Sequence, residues 1–218
     1  MEDVLDVYHL PYDASFPVLC LDEKPYQLLA DNREQISSRP GRPLIEDYEY
    51  ERRGTCSIFI TTEPLTGFRH VVARERRTSI DWAHEIAYIL DEIYPNVAKV
   101  RLIMDNLNTH STASLYAAFP AEKARRLAKR LDIHYTPKHG SWLNIAEIEL
   151  NVLTRQCLNR RLQSLDILNT QLRHWETRRN CQSKHVNWQF TASDARIRLK
   201  HLYPVIEETE PSITWFKP

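Results

Sequence analysis

Three carboxylates in this 218-residue chain stand where side chains could do chemistry. A short apolar run over residues 16–23 ends in Asp22 and Glu23, and a second, over residues 99–105, ends in Asp105. Aspartate is a poor strand former and is costly to bury unpaired, so a buried strand that finishes in a carboxylate marks either a turn cap or a site. The third acid is Glu147. At about 100° per residue in a helix starting near Leu143, the side chains of Leu143, Ala146, Leu150, Leu153 and Cys157 share one face. Glu147 falls on that apolar face and Glu149 points well away from it. An acid on a core face breaks a local rule, and such breaks concentrate at functional sites. Carboxylates brought together repel one another and resist joint ionisation, so the set makes chemical sense with cations present. Hard ions such as Mg²⁺ take oxygen ligands and keep several waters, so a few carboxylates suffice. Two such ions roughly 4 Å apart support in-line phosphoryl displacement.

The elements that must position these acids are legible in the patterning. Residues 2–9 read as a short acidic helix. The run over residues 16–23 suits a strand buried on both faces, and a polar stretch over 33–50 reads as a long loop. Two β-rich runs, 55–62 and 68–74, flank a segment containing Pro64 and Gly67, which predicts a hairpin. Over 78–94 the apolar residues Ile80, Ala83, Ile86, Ala87, Leu90 and Ile93 recur at three and four, which predicts an amphipathic helix stopped at Pro95. A short strand over 99–105 follows. Residues 111–131 are helical in pattern, broken near Pro120, and residues 133–136 form a last strand. Helices over 142–160, 165–180 and 193–203 finish the pattern. Antiparallel strands first and β-α-β crossovers second predict an α/β fold with a mixed five-stranded sheet flanked by helices, which is the element order of ribonuclease-H-like domains. We expect one domain over residues 1–203, with 164–203 as a helical extension and 204–218 as a tail.

Composition narrows the alternatives. No run approaches the roughly 18 apolar residues of a membrane helix, and three acids among the first six residues exclude a signal peptide. The four glycines are isolated, which excludes a P-loop or a dinucleotide fingerprint. The four cysteines form no CxxC pair, so free thiols are expected and zinc is not. Net charge is zero but unevenly placed: residues 1–50 hold four Lys/Arg against eleven Asp/Glu, and residues 120–202 hold sixteen against seven. That asymmetry fits an anionic partner at the basic end, or a solvated helical surface.

The motifs Leu21-Asp-Glu-Lys-Pro25, Asp47-Tyr-Glu-Tyr50 with Gly54-Thr55, and Met104-Asp-Asn-Leu-Asn-Thr-His110 carry a further signal. So do Tyr135-Thr-Pro-Lys-His-Gly-Ser-Trp-Leu-Asn-Ile-Ala-Glu-Ile-Glu149 and Trp188-Gln-Phe-Thr191 with Asp194-Ala-Arg196. Together they resemble the catalytic half of bacterial insertion-sequence transposases of the Tc/mariner superfamily, the insertion-sequence family numbered 630. The resemblance implies a ribonuclease-H-like fold, with Asp22, Asp105 and Glu147 as an Asp-Asp-Glu triad binding two Mg²⁺ ions, or Mn²⁺ in their place. It implies cleavage of double-stranded DNA at element ends and transfer of the freed 3′-hydroxyl to a TA-containing target, within a homodimeric DNA complex in the bacterial cytoplasm. Helix-turn-helix modules usually precede such a domain and are expected to be absent here. A nuclease of the same fold without strand transfer, or a silent fragment that binds DNA or full-length transposase, are the rival readings.

For DNA contact the candidates are Asn106 and His110 after the second Asp, Lys138 and His139 on the Pro/Gly-flanked loop, and the basic helical face of Arg125, Arg126, Lys129 and Arg130. His110, with Asn106 and Asn108, could instead orient a metal ligand. Arg39 and Arg42 are weaker candidates for DNA or a partner protomer.

Overall fold

The structure, a computed structural model, describes residues 1–32, 40–41, 48–138 and 140–203. Five strands form one sheet in the order β3-β2-β1-β4-β5: β1 (Val18–Asp31), β2 (Tyr50–Glu63), β3 (Phe68–Arg74), β4 (Val100–Met104) and β5 (Leu131–Tyr135). The first three strands pair antiparallel, and β1, β4 and β5 run parallel. Around the sheet lie α1 (Glu2–Tyr8), α2 (Ser79–Tyr88), α3 (Thr112–Ala118), α4 (Ala121–Lys129), α5 (Ile145–Leu153), α6 (Leu165–Cys181) and α7 (Ala192–Arg198). This is the ribonuclease-H-like order that the element sequence predicts. No helix among the described residues is long and apolar enough to cross a membrane.

Alternation along the strands divides the core in two. Leu19 and Leu21 of β1, with Leu102 and Met104 of β4, pack beneath α2, α3 and α4 against Trp82, Ile86, Leu115 and Leu127. Cys20 and Ile103 face the other way, into a core shared with Ile58 and Ile60 of β2, α1, α5 and Trp175 of α6. All four cysteines are free thiols; Cys181 is exposed and the other three are buried.

Several elements differ from the sequence reading, among them β2, which starts at Tyr50 rather than residue 55, and the last helix, which ends at Arg198 before a 3₁₀ turn over Lys200–Leu202. The first strand runs on to Asp31, because β2 is equally long and pairs with it as far as Asp31↔Tyr50. Pro25 is tolerated inside it because β4 pairs with β1 only from Val18 to Cys20, so beyond that point one edge of β1 faces no strand. The helix carrying Glu147 is also shorter than expected. A 3₁₀ turn, Ser141–Leu143, precedes it, and Asn144 caps α5 by accepting from the Ala146 N–H at 3.1 Å. The helix then continues as a π-turn over Thr154–Leu158.

The hairpin turn is built around Gly67, whose φ of +73° suits a residue without Cβ. A Cβ there would meet the Lys184 backbone at 2.7 Å, because the segment after α6 lies against this turn. The edge strand β3 is closed by α6. Asn180 accepts from the Arg69 N–H (2.8 Å) and donates to the Arg69 carbonyl oxygen (2.7 Å), Glu176 accepts from Val71 N–H (2.7 Å), and Asn169 makes both bonds to Ala73 (2.8 and 3.0 Å). Helix side chains thus satisfy the backbone groups that an open edge offers to other chains.

Candidate active site

Strand register sets the first two acids side by side. β1 and β4 pair in parallel as Leu19↔Leu102 and Cys20↔Ile103, and continuing that register puts Asp22 beside Asp105. Asp22 follows Cys20 of the α5-side core by two positions and so faces α5, while Asp105 stands one residue past the end of β4. The start of α5 is pinned to the same place: the Asn144 side-chain amide donates to the Leu21 carbonyl oxygen at 2.8 Å. Tyr8 of α1 adds a second tie, donating to the Leu143 carbonyl oxygen at 2.7 Å and accepting from Ile145 N–H at 3.2 Å. Glu147 then lies in the first turn of α5, half-buried, where a carboxylate suits the helix N-terminus.

The three acids act on one another. Burial raises the Asp22 carboxyl to about 6, and the charges of Asp105, Glu147 and Glu23 add to the rise against a hydrogen bond from Glu23 N–H. Among the described residues no group of three or more His, Cys, Asp or Glu is drawn tightly enough to hold an ion as it stands. Asp22, Asp105 and Glu147 meet through their charges rather than as a closed cage. Such a set fits a hard divalent cation, which accepts oxygen donors and retains waters. A cleft of about 520 Å³ opens beside Asp105, lined also by Asn106, Leu107, Thr136, Pro137, Lys138 and Ser141. A larger cavity of about 620 Å³ lies between β3, α2 and α6 and holds none of the three acids. Its His70, Arg74, Glu85 and Glu176 pair with one another.

Several candidates sit elsewhere than their residue type suggests. Glu149 does not point away from the core: it is buried, because α6 and β3 cover that flank of α5, and its carboxylate pairs with Arg69 (2.7 Å) and Arg179 (3.2 Å). Burial pushes its carboxyl up, but the two guanidinium groups outweigh this and hold it below the usual range. His110 is 1% exposed, which removes it from any DNA surface. Arg130 donates to the carbonyl oxygens of Leu90, Tyr94 and Val97 at the end of the α2 segment, so it is a structural plug rather than a phosphate contact. Arg126 is exposed but pairs in a two-pronged contact with Asp91 at 2.7 and 2.9 Å. Arg125 and Lys129 are exposed on α4, on the opposite face of the sheet from α5. Asn106 and Lys138 are exposed on the rim of the Asp105 cleft. His139, Arg39 and Arg42 lie outside the described residues. Part of the charge asymmetry is spent internally, since Glu2 pairs with Arg196 at 2.7 Å and Asp3 with His134 at 2.8 Å.

Glu23 is the residue that sequence reasoning passed over. It points to the opposite face from Asp22, its side chain is 3% exposed, and it lies 3.7 Å from His110 Nε2 and 3.5 Å from Arg77. The available signal was a second acid directly after Asp22, on a strand read as buried on both faces.

Fold and site together define a ribonuclease-H-like domain with acidic residues where the pairing of β1 with β4 ends. The profile of the family described as DDE superfamily endonuclease matches residues 17–169, and the chain belongs to that family. Among solved structures, the Mos1 strand transfer complex is similar with a TM-score of 0.51 at 12% identity, over 77% of this chain and 52% of that one. The Mos1 mariner paired end complex with Mn gives 0.49 at 12% identity, over 78% and 52%. A simian T-cell lymphotropic virus intasome in complex with the PP2A regulatory subunit B56 gamma gives 0.44 at 14%, over 96% and 63%. At such identities the likeness concerns the fold alone. The chain spans about half the length of the Mos1 chains it matches. No curated protein matches its sequence.

Proposed function

We propose that this chain is the catalytic domain of a DNA transposase of the Tc/mariner type, which cuts DNA at element ends and joins the freed 3′ end to a target. The observation that supports the reading is the parallel register of β1 and β4, which, continued two residues past Cys20↔Ile103, brings Asp22 level with Asp105 near the point where Asn144 anchors α5 and Glu147. Asp22, Asp105 and Glu147 would hold two Mg²⁺ ions, for which Mn²⁺ can substitute. Bound there, the cations supply neutralisation of the scissile phosphate and a more acidic attacking water.

The chain's own residues do the rest by position. Asp22, Asp105 and Glu147 would each supply carboxylate oxygens to these ions, with Asp22 common to both and Asp105 and Glu147 each contributing to one. Lys138 and Asn106, on the rim of the cleft, bear on the phosphates of the scissile strand. In cleavage, water oxygen bonds to phosphorus and the P–O3′ bond breaks; in joining, that 3′-hydroxyl attacks a target phosphate and displaces another 3′-oxygen. Double-stranded DNA is thus both substrate and partner, and the working form is a homodimer on two element ends, with a TA-containing target.

The test is nicking of supercoiled plasmid in Mn²⁺ at neutral pH, with Asp105→Asn beside the parent and pre-cut element ends supplied for joining. Losing several kcal/mol of transition-state stabilisation lowers the rate about 100-fold or more in Asp105→Asn, and chelator abolishes nicking by the parent. Equal nicking by both proteins overturns the assignment. Nicked products without any joined species favour the nuclease of the same fold.

A further inference from the structure

The loop between β4 and α3 carries His110 back across the end of the sheet, where its ring meets two carboxylates from two different strands. Nδ1 lies 2.6 Å from Asp105 Oδ1 and donates to the Asp105 carbonyl oxygen at 3.2 Å. On the other side of the ring, Nε2 lies 3.7 Å from Glu23 Oε1. The indole of Trp82 stacks on the ring at 6.0 Å between centroids and 27° between planes. The backbone is held as well: His110 N–H donates to the Leu107 carbonyl oxygen at 2.9 Å, and the Tyr135 hydroxyl donates to that of His110 at 2.8 Å. Nδ1, one ring face and the main chain are therefore engaged, while Nε2 has no hydrogen bond and faces the Glu23 carboxylate at ion-pair distance.

Asp105 needs such a hold. It stands past the last residue of β4, its side chain is 32% exposed, and the like charge of Asp22 lies close by. We propose that His110 is a positioning residue for Asp105, with Glu23 as the outer anchor of its ring. It engages Oδ1 and leaves the rest of the carboxylate turned to the cleft, ready for a cation. A histidine between a ligand carboxylate and a buried carboxylate is an outer-shell support; removing such support typically weakens metal binding about 10- to 100-fold. The inference rests on the reading of Asp105 as a cation ligand, and it assigns a role to two residues that touch neither DNA nor the reacting atoms.

The experiment is titration of the purified chain with Mn²⁺, following free Mn²⁺ by electron paramagnetic resonance, with thermal melting and plasmid nicking in parallel. His110→Leu removes the ring donor, while His110→Asn keeps an amide donor close to the place of Nδ1. Both lose the stack on Trp82, so a packing role alone lowers their melting temperatures and their Mn²⁺ affinities together. The expected result is a split: Mn²⁺ affinity falls about tenfold or more in His110→Leu and recovers to within about threefold of the parent in His110→Asn. His110→Gln, whose amide reaches toward Glu23 instead, behaves like the leucine variant and serves in its place if that protein does not fold. Equal affinity in all variants, or equal loss in all, overturns the positioning role. Unchanged Mn²⁺ binding in Asp105→Asn overturns instead the reading of Asp105 on which it stands.

Discussion

At the scale of single residues, the neighbours of α5 separate two glutamates that stand two positions apart. Glu147 is half-buried beside Asp22, and the closeness of their charges costs stability. Glu149 is buried with Arg69, which is 1% exposed and depends on it for neutralisation. Glu149→Gln leaves that guanidinium unpaired in the core and costs about 3–5 kcal/mol in urea unfolding. Glu147→Gln stays within about 1 kcal/mol of the parent in the same assay, yet abolishes nicking. Similar stability losses in the two variants would show that the Arg69–Glu149–Arg179 cluster does not carry this energy. Arg130 and His110 teach the same lesson, since a basic residue type names a phosphate contact only while the side chain remains at the surface.

At the scale of elements, α6 acts as a fourth neighbour of the antiparallel strands. Asn169, Glu176 and Asn180 cover about 16 Å of helix and meet alternate residues over about 13 Å of β3, so the two periods nearly match. His70 ties this arrangement to α2, with Nε2 at 3.1 Å from Glu85 and Nδ1 at 3.5 Å from Glu176. Burial lowers its pKa, but the two carboxylates outweigh burial and raise it to about 9. A histidine whose folded pKa is raised stabilises fully below its unfolded value of 6.5, and that contribution is lost as pH climbs through about 9. Stability of the parent therefore declines between about pH 6.5 and 9, with His110, also raised to about 9, titrating in the same window. His70→Gln flattens the decline by about 1–3 kcal/mol and leaves the share of His110 in place. An unchanged slope in urea unfolding across this range would remove His70 from the account.

At the scale of the whole molecule, the chain's first helix reaches α5, which carries Glu147. Val4, Leu5, Val7 and Tyr8 of α1 are buried in the α5-side core, and the Tyr8 hydroxyl holds Leu143 and Ile145 on either side of the cap residue Asn144. The salt bridge from Glu2 to Arg196 is exposed and contributes little by comparison. Tyr8→Phe leaves the Leu143 carbonyl and the Ile145 N–H without this partner inside the core, which costs about 1–3 kcal/mol. Because the same contacts seat Glu147, nicking by the folded variant slows as well. Full activity and full stability in Tyr8→Phe would mean that α5 is seated by Asn144 alone.

Much of this was legible in the amino-acid sequence. Hydrophobic periods located the hairpin, the crossover helices and the strand before Asp105, because alternation and three-to-four spacing are imposed by the backbone geometry of each element, but they stopped the first strand near Asp22, whereas pairing with β2 carries it to Asp31. Helix phase put Glu147 on the core face and Glu149 away from it, yet Glu149 is the more buried of the two, because one helix's phase knows only one face. That α5 is covered on a second flank by α6 and β3, and that Arg69 and Arg179 arrive there, depends on contacts made by residues 80 and 30 positions away. The same holds for Glu23, His110 and Arg130. Their roles come from partners on other strands and helices, and only tertiary packing decides which polar groups are taken out of water together.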